Sequence, residues 1–209
     1  MEIKHKIIHL SMESHIETNN QPNNEEKGFK KFLSFSFEIA KIALIALAIV
    51  VPIRYFLFQP FIVKGESMSP NFESGDYLIV DEISYRLSEP GRGDVVVFKY
   101  PKDTTQRFIK RIIGLPGETV IIKNGEVTVT KVGGENVILD ENYLPQDLKT
   151  YGDTNTTLKD NEFFVMGDNR TYSYDSRSWG IVPRGNIIGK AFLRLYPVTD
   201  LSRISSPAY

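Results

Sequence analysis

The distribution of apolar residues divides the chain into two parts. Residues 32–58 are apolar almost without interruption, and residues 42–53 carry no charge. As an α-helix, residues 32–53 would extend about 33 Å, close to the hydrocarbon thickness of a bilayer. We therefore predict one transmembrane anchor at residues 32–58, preceded by a polar, disordered tail at residues 1–31.

Two alternatives explain the anchor segment less well. A buried helix of a soluble core would have to place Glu38, Lys41 and Arg54 around one apolar helix. A cleaved signal peptide would have a shorter apolar run followed by a small-x-small cleavage site, which this sequence lacks.

The basic residues around the anchor predict its orientation. Four lysines lie on or near its N-terminal side, whereas the other side has only an arginine and a lysine nearby: Lys27, Lys30, Lys31 and Lys41 against Arg54 and Lys64. Positive charge favours the cytoplasmic side of a membrane. The N-terminus is therefore expected in the cytoplasm and the chain after residue 58 outside it.

After the anchor the pattern changes to short β-type segments. They are rich in Val, Ile, Tyr and Phe and are separated by Gly and Pro turns. Asn124-Gly125 can adopt the positive φ angles of a tight hairpin turn. The predicted strands lie at residues 76–84, 94–100, 108–113, 119–122, 126–130, 162–166 and 186–196.

The predicted fold is mostly β. Residues 131–161 are polar and rich in Gly, Asp, Asn and Thr, as expected of an insertion away from the main core. We expect a coiled antiparallel β-sheet core from residues 59–118 and 162–199, in which any active site would lie. A small inserted hairpin or loop lobe would occupy residues 119–161, and a C-terminal tail would occupy residues 200–209.

Composition excludes several kinds of chemistry. The 209 residues include no cysteine, so disulfides, thiolate metal sites and cysteine nucleophiles are ruled out. The three histidines, His5, His9 and His15, all lie in the polar tail. A nucleophile in the folded part would therefore need Lys or a carboxylate as its base. The formal net charge of -1 and the lack of a long basic run argue against a nucleic-acid partner.

Ser67 is the candidate nucleophile. It lies in the segment Gly65-Glu66-Ser67-Met68-Ser69-Pro70, shortly after the anchor. Gly and Pro constrain this segment, which is equally compatible with an ordinary turn serine. The position of Ser67 shortly after the anchor, together with the absence of His and Cys from the folded part, favours Ser67 as the nucleophile.

Lys110 is the candidate base. On a strand, Lys110 lies on the same face as Phe108 and Ile112, whereas Arg111 points to the other face. Burial lowers the pKa of a lysine, whereas arginine stays protonated. Of Lys110 and Arg111, therefore, only Lys110 can accept a proton at neutral pH. A solvated strand lysine is the alternative interpretation. Lys99, which shares a face with Val95 and Val97, is a rival base.

A dense polar sequence follows the predicted strand at residues 162–166. Asp168, Arg170, Asp175 and Arg177 alternate there and could form an ion-pair network that fixes a loop. The intervening arginines disfavour a mechanism based on paired carboxylates, and no metal-binding pattern is present. No metal or cofactor is expected.

Taken in order, four motifs closely resemble those of bacterial type I signal peptidases. They are Gly65-Glu66-Ser67-Met68-Ser69-Pro70; Arg92-Gly93-Asp94-Val95-Val96-Val97-Phe98; Phe108-Ile109-Lys110-Arg111 with Gly114-Leu115-Pro116-Gly117; and Met166-Gly167-Asp168-Asn169-Arg170 with Ser173, Asp175-Ser176-Arg177 and Trp179-Gly180. The resemblance extends from the anchor to about residue 197.

The resemblance implies roles for specific residues. Ser67 would be the nucleophile, Lys110 the general base and Ser173 a hydroxyl that orients the lysine amine. Asp168, Asp175 and Arg177 would support the site, and the substrate pocket would be lined by Phe61, Val63, Met68 and Ile109. Two positions depart from common family members: Gly65 lacks a hydroxyl that can complete an oxyanion hole, and Tyr172 replaces an Asn before the orienting serine.

The function implied is that of a single-pass, membrane-anchored serine endopeptidase. It would use a Ser-Lys dyad and an acyl-enzyme to remove N-terminal signal peptides from exported preproteins. Its partners would be preproteins and the lipid bilayer of a plasma or thylakoid membrane. Two alternatives are a Ser-Lys protease of related fold with another substrate, such as a self-cleaving repressor, and a membrane-anchored β-domain that only binds a partner.

Overall fold

The computed structural model describes residues 24–52, 58–146 and 148–207. Helix α1 covers Asn24–Pro52. Within it, Gly28–Val51 is 24 residues long with a mean hydropathy of 2.1, and no side chain of its most apolar part is buried. By length and composition this helix can cross a membrane, which confirms the predicted apolar N-terminal helix.

The helix boundaries differ from the predicted ones. The helix begins at Asn24, inside the predicted tail, because Glu and Lys are good helix formers and the polar sequence before the apolar run continues the helix. At the other end, Phe58 begins a strand instead of ending the anchor. The predicted tail residues 1–23 lie outside the described residues.

Residues 58–146 and 148–207 form two antiparallel sheets and short helical turns. The strands are β1 (Phe58–Ile62), β2 (Tyr77–Asp81), β3 (Val95–Tyr100), β4 (Asp103–Gly114), β5 (Thr119–Lys123), β6 (Glu126–Thr130), β7 (Asn136–Ile138), β8 (Thr154–Thr157), β9 (Glu162–Met166), β10 (Val182–Pro183), β11 (Ile187–Tyr196) and β12 (Ser202–Arg203). The short α-helices are α2 (Ser84–Leu87) and α3 (Ser176–Trp179).

The larger sheet has the order β1-β2-β11-β3-β4-β9-β10, with β12 paired to β11. The smaller sheet has the order β7-β6-β5-β8 and lies within residues 119–161, the range predicted for the inserted lobe. Register shifts interrupt four of the strand pairs of the larger sheet, and such irregularities bend and twist a sheet. The predicted mostly β, antiparallel fold is confirmed.

Three boundaries were not predictable from strand composition. β2 ends at Asp81 because the Asp81 carboxylate accepts hydrogen bonds from the N–H groups of Ile83 and Ser84 and starts α2. β4 begins at Asp103, earlier than predicted, because its polar first half is exposed and pairs with β3. The predicted C-terminal tail contributes β12, which pairs with the end of β11 where β3 no longer covers it.

β3 lies near the centre of the larger sheet and is covered on both faces. Val96 and Phe98 pack into one hydrophobic cluster, and Val95 and Val97 into a second. This explains why its sequence is a continuous apolar run instead of an alternating one. Because Val96 pairs with Lys110, the lysine is held beside a strand that is covered on both faces.

Candidate active site

The segment carrying Ser67 connects β1 to β2 and is fixed from two sides. Val63 and Met68 are 1% and 0% exposed and anchor it in the core. On the other side, the Asn169 N–H donates to the Ser67 carbonyl at 3.1 Å, and the Asn169 side-chain amide donates to the Glu66 carbonyl at 3.1 Å. Ser67 itself is half-buried, so its hydroxyl is held in place yet accessible.

Lys110 reaches Ser67 from strand β4. Its Nζ lies 2.6 Å from Ser67 Oγ and donates to the Ile109 carbonyl at 2.9 Å. The lysine is only 4% exposed, and its Nζ lies 5.6 Å from the centre of the Phe108 ring. Lys99, the rival base, is exposed on β3. The structure therefore brings Ser67 together with Lys110.

The surroundings of Lys110 favour its neutral form. Burial lowers the pKa of the Lys110 ammonium from 10.5 to about 8, although the nearby carboxylates Asp175 and Asp168 act in the opposite direction. An amine with a pKa near 8 is partly deprotonated at neutral pH and can accept a proton. The 2.6 Å separation then allows the Ser67 hydroxyl to donate to the Lys110 amine.

Ser173 lies close to the same site, next to Gly167. Its hydroxyl is buried and has no hydrogen-bond partner among the residues that the structure describes. The resemblance implied a hydrogen bond from Ser173 to the Lys110 amine, and the structure records none. The orienting role of Ser173 stays a prediction.

Gly167 allows the Ser67 and Ser173 segments to approach each other. A Cβ added at Gly167 would overlap the Ser67 carbonyl oxygen and Ser173 Oγ. Because the Ser67 oxygen belongs to the backbone, the clash cannot be relieved by turning a side chain.

We expect Gly167→Ala to lower the rate at which Ser67 reacts with an acylating reagent by at least about tenfold, because the Ser67 segment must move relative to Lys110. Kinetic assays at fixed pH measure this. Gly185→Ala is the matched control, since a Cβ at Gly185 has no neighbour within 4 Å. Equal rates for the two variants would contradict the argument.

Asp168 is fully buried and is held by Arg111. Arg111 donates from Nε at 2.8 Å and from Nη2 at 2.6 Å to the two carboxylate oxygens, and Asn71 Nδ2 adds a bond of 2.9 Å. Both charged side chains are 5% exposed or less. The pair fixes the start of the loop that follows β9, immediately beside Lys110.

Asp175 and Arg177 form a second ion pair in the same loop. Asp175 caps α3 by accepting from the Arg177 N–H at 3.2 Å, and it pairs with the Arg177 guanidinium at 2.8 and 2.7 Å. It also accepts from the Gly167 N–H at 3.0 Å. Of the network predicted among Asp168, Arg170, Asp175 and Arg177, only the Asp175–Arg177 pair forms within the loop, because Asp168 pairs with Arg111 instead of Arg170.

Arg170 connects this loop to residues between β7 and β8. Its guanidinium donates to Thr150 Oγ1 at 2.6 Å and to the Tyr143 hydroxyl at 2.9 Å, and it is paired with the Glu141 carboxylate. The Tyr143 ring also stacks on Arg111, 4.2 Å from its guanidinium carbon. Glu141, Tyr143 and Asn71 could not be identified from the sequence, because only folding brings them to this loop.

A cavity of about 530 Å³ opens over Ser67 and Lys110. Phe61 and Ile109 are among its lining residues, and their role in binding substrate stays a prediction. Val63 and Met68 are not among its lining residues and lie in the hydrophobic cluster beneath it. The full lining is Phe61, Ile62, Lys64, Gly65, Glu66, Ser67, Thr105, Arg107, Phe108, Ile109, Lys110, Tyr172 and Tyr174.

Tyr172 and Tyr174 form an aromatic side of this cavity. They are 80% and 53% exposed, and the Tyr174 hydroxyl lies 3.2 Å from that of Tyr100. Tyr172, which stands where many members of the resembling family have Asn, therefore projects toward solvent. Among the described residues, no group of three or more His, Asp or Glu side chains is placed to hold a metal ion.

A hydroxyl within hydrogen-bonding distance of a buried lysine, under an open cavity on a β-sheet, is the arrangement of serine hydrolases that use lysine in place of histidine. Residues 36–196 match the sequence model of the family described as "Signal peptidase, peptidase S26". The chain belongs to this family, and it is a serine endopeptidase. The predicted family is thereby confirmed.

Individual relatives agree with this assignment. The chain is 38% identical over 177 residues to a "Probable signal peptidase I-2" of Synechocystis, covering 82% of this chain and 78% of the relative. It is 41% identical over 170 residues to "Signal peptidase I" of Leptolyngbya laminosa, covering 78% and 81%. It is 35% identical over 191 residues to "Signal peptidase I" of Pseudomonas aeruginosa, covering 70% and 67%.

Among solved structures, a signal peptidase I of Enterococcus faecalis is 30% identical. It aligns with a TM-score of 0.42, covering 49% of this chain and 97% of that one.

Proposed function

We propose that this protein removes N-terminal signal peptides from exported preproteins, with Ser67 as nucleophile and Lys110 as general base. The observation that carries the residue assignment is the 2.6 Å separation between Lys110 Nζ and Ser67 Oγ, with the lysine 4% exposed. The substrate class follows from the family and from relatives named as signal peptidases.

The reaction proceeds in two halves. Neutral Lys110 takes the proton of Ser67 Oγ, which attacks the carbonyl carbon of the scissile peptide bond. The resulting ammonium returns the proton to the leaving amine, which departs and leaves an acyl-enzyme on Ser67. Water then attacks the ester while Lys110 takes a water proton, and the proton finally returns to Ser67 Oγ as the acid is released.

The negative oxygen of each tetrahedral intermediate needs hydrogen-bond donors. Gly65 has no side-chain donor to offer, so the backbone N–H of Ser67 is the principal donor in this proposal. Supporting roles go to Asp168, Asp175 and Arg177, whose ion pairs fix the loop that contacts the Ser67 segment. Ser173 is proposed to orient the Lys110 amine.

The substrate is proposed to lie in the cavity as an extended strand. β1 is an edge strand, and β4 pairs with β9 only from Arg111 onward, so both present backbone groups to a peptide. Phe61 and Ile109 offer apolar walls for small side chains, while Val63 and Met68 pack beneath those walls.

The apolar helix is proposed to anchor the enzyme in the bilayer as its single span. The excess of lysines in the N-terminal part of the helix favours a cytoplasmic N-terminus and an extracytoplasmic catalytic part. Confining the enzyme and preproteins to one membrane raises their effective concentration.

A labelling experiment tests the nucleophile and the base together. We expect a fluorescent acylating lactam to modify Ser67 at a rate that rises about tenfold per pH unit and levels off above about pH 8, where Lys110 is deprotonated. Mass spectrometry of peptides from the purified protein identifies the modified residue. Excess preprotein should slow the labelling.

Ser69→Ala is the matched control, because Ser69 lies in the same segment and has no assigned role. It should be labelled like the wild type, whereas Ser67→Ala should not be labelled. Labelling that persists in Ser67→Ala would remove the nucleophile assignment. Labelling of Ser67 that does not vary between pH 6 and 9 would remove Lys110 as the base.

A further inference from the structure

One residue holds both peptide units that flank the nucleophile. The side-chain amide of Asn169 donates to the Glu66 carbonyl at 3.1 Å, and the Asn169 backbone N–H donates to the Ser67 carbonyl at 3.1 Å. We propose that Asn169 is a positioning residue of this enzyme, whose side chain aims the Ser67 N–H at the negative oxygen of the tetrahedral intermediate. This inference rests on the proposed function.

The direction of the Ser67 N–H follows from the planarity of the peptide unit. The Glu66 carbonyl and the Ser67 N–H belong to one trans unit, in which the two bonds point in opposite directions. A hydrogen bond that holds the carbonyl on one side therefore fixes the N–H on the other. Among the described residues, no acceptor is paired with the Ser67 N–H, which leaves it available to a substrate oxygen in the cavity that Glu66 and Ser67 line.

The same hydrogen bond strengthens the donor. A peptide unit whose oxygen accepts a hydrogen bond is polarised, and its N–H becomes a better donor, because hydrogen bonds in a chain reinforce one another. Gly65 has no side-chain donor to share the charge of the intermediate. The direction and strength of this one backbone N–H therefore matter more here than where a side-chain hydroxyl helps.

The Asn169 amide is itself oriented by two different partners. Its Oδ1 accepts from the Tyr172 N–H at 3.3 Å, while its Nδ2 donates to the Glu66 carbonyl. Only a side chain with both an acceptor and an N–H donor satisfies this pair of contacts, and a carboxylate would present a second acceptor to the Glu66 oxygen. The site therefore requires Asn at this position instead of Asp.

The backbone that carries Asn169 is fixed by its two neighbours in the chain. Asp168 and Arg170 are 0% and 1% exposed. Asp168 is paired with Arg111, and Arg170 donates from Nε to the Gly167 carbonyl at 3.1 Å. Asn169 thus extends a short side chain from a rigid support, so its amide can hold the Glu66–Ser67 peptide unit in one orientation.

The expected effect is on the chemical step and not on substrate binding, because negative charge develops on the oxygen only after attack. Removal of an oxyanion donor lowers kcat by about 10²–10³-fold in a serine protease. Asn169→Ala keeps the Ser67 N–H and removes only the bond that aims it, so a smaller loss is expected. We expect kcat to fall about tenfold while KM stays within about twofold.

A peptide aldehyde with the sequence of a preprotein cleavage site reports the donor directly. Ser67 Oγ bonds to the aldehyde carbon, Lys110 takes the Ser67 proton, and the former carbonyl oxygen becomes the adduct oxygen. The ¹³C shift of the labelled carbon, followed against pH in the purified full-length protein in detergent micelles, gives the pKa of that oxygen. This pKa should be about one pH unit higher in Asn169→Ala than in the wild type, matching a tenfold weaker stabilisation of the anion.

Two further variants test which contact of Asn169 matters. Asn169→Asp keeps an acceptor for the Tyr172 N–H but has no donor for the Glu66 carbonyl. Its kcat should fall at least as far as that of Asn169→Ala above about pH 9, where Lys110 is neutral. Asn155→Asp makes the same change at an exposed residue of β8 in the smaller sheet. It should keep the wild-type kcat and the wild-type pKa of the adduct oxygen.

Three results would overturn the proposal. The first is a pKa of the adduct oxygen in Asn169→Ala equal to that of the wild type, since a merely structural loss slows formation of the adduct without changing this pKa. The second is a wild-type kcat in Asn169→Asp, which would assign the side chain to the turn at Tyr172. The third is a wild type that neither cleaves preprotein nor forms the adduct, which would remove the proposed function as well, whereas the first two leave that function intact.

Discussion

Lys110→Arg should lower the rate of preprotein cleavage by about 10³-fold. The substitution keeps a positive charge on a long side chain but replaces an amine, whose pKa burial lowers to about 8, by a guanidinium that stays protonated. A protonated group cannot accept the Ser67 proton across the 2.6 Å that separates Lys110 Nζ from Ser67 Oγ. Cleavage of a purified preprotein under single-turnover conditions measures the effect.

Two further variants separate the loss of the base from loss of the fold. Lys99→Arg makes the same change at an exposed position on the neighbouring strand and should keep nearly the wild-type rate. Lys110→Met, which retains the apolar length and removes the amine, should be as inactive as Lys110→Arg while unfolding at a similar temperature to the wild type. A cleavage rate of Lys110→Arg within tenfold of the wild-type rate would contradict the mechanism in which Lys110 is neutral.

Arg111→Leu should destabilise the protein by about 3–5 kcal/mol, because it leaves the Asp168 carboxylate buried without its main partner. Asp168 is fully buried, and Arg111 makes two of its three hydrogen bonds from side chains. Denaturant unfolding at pH 7 of the purified protein measures the loss. Lys131→Leu, which removes one partner of the exposed Lys131–Glu135 pair, should cost less than about 1 kcal/mol.

The same substitution should also change the pH dependence of cleavage. The Asp168 charge raises the pKa of Lys110, and the Arg111 guanidinium offsets that charge. Without Arg111, the pKa of Lys110 rises, so the acid limb of the pH–rate profile should move to higher pH. Adding Asp168→Asn should restore part of the stability and move the limb back. If the acid limb of the folded Arg111→Leu variant does not shift, the Arg111–Asp168 ion pair does not influence the pKa of Lys110.

The sequence determined the chemistry through what it contains and lacks. With no cysteine and its three histidines in the N-terminal stretch, the β-rich part had only Lys or a carboxylate to activate a serine. The apolar run predicted a helix long enough to cross a membrane. The alternation of side chains along β4 predicted that Lys110 shares a strand face with Phe108 and Ile112. These properties depend on composition and on the local periods of helix and strand, so they can be read without the fold.

Which lysine is buried was decided by the tertiary structure. Lys99 and Lys110 both have apolar neighbours on their strand faces, but Lys99 is exposed near the end of β3 whereas Lys110 lies beneath the Ser67 segment. A strand pattern shows which side chains share a face. It does not show which part of that face another segment will cover.

The partners of the buried charges were also decided by folding. Arg111, Asn71 and Asp168 meet from three separate parts of the chain, and Tyr143 and Glu141 reach Arg111 and Arg170 from the region between β7 and β8. For the same reason Val63 and Met68, which the resemblance assigned to the pocket, lie in the core beneath it. The sequence alone determined which groups can react at Ser67. Long-range packing decided which of these groups are desolvated, paired or open to substrate, because burial depends on contacts between segments distant in the chain.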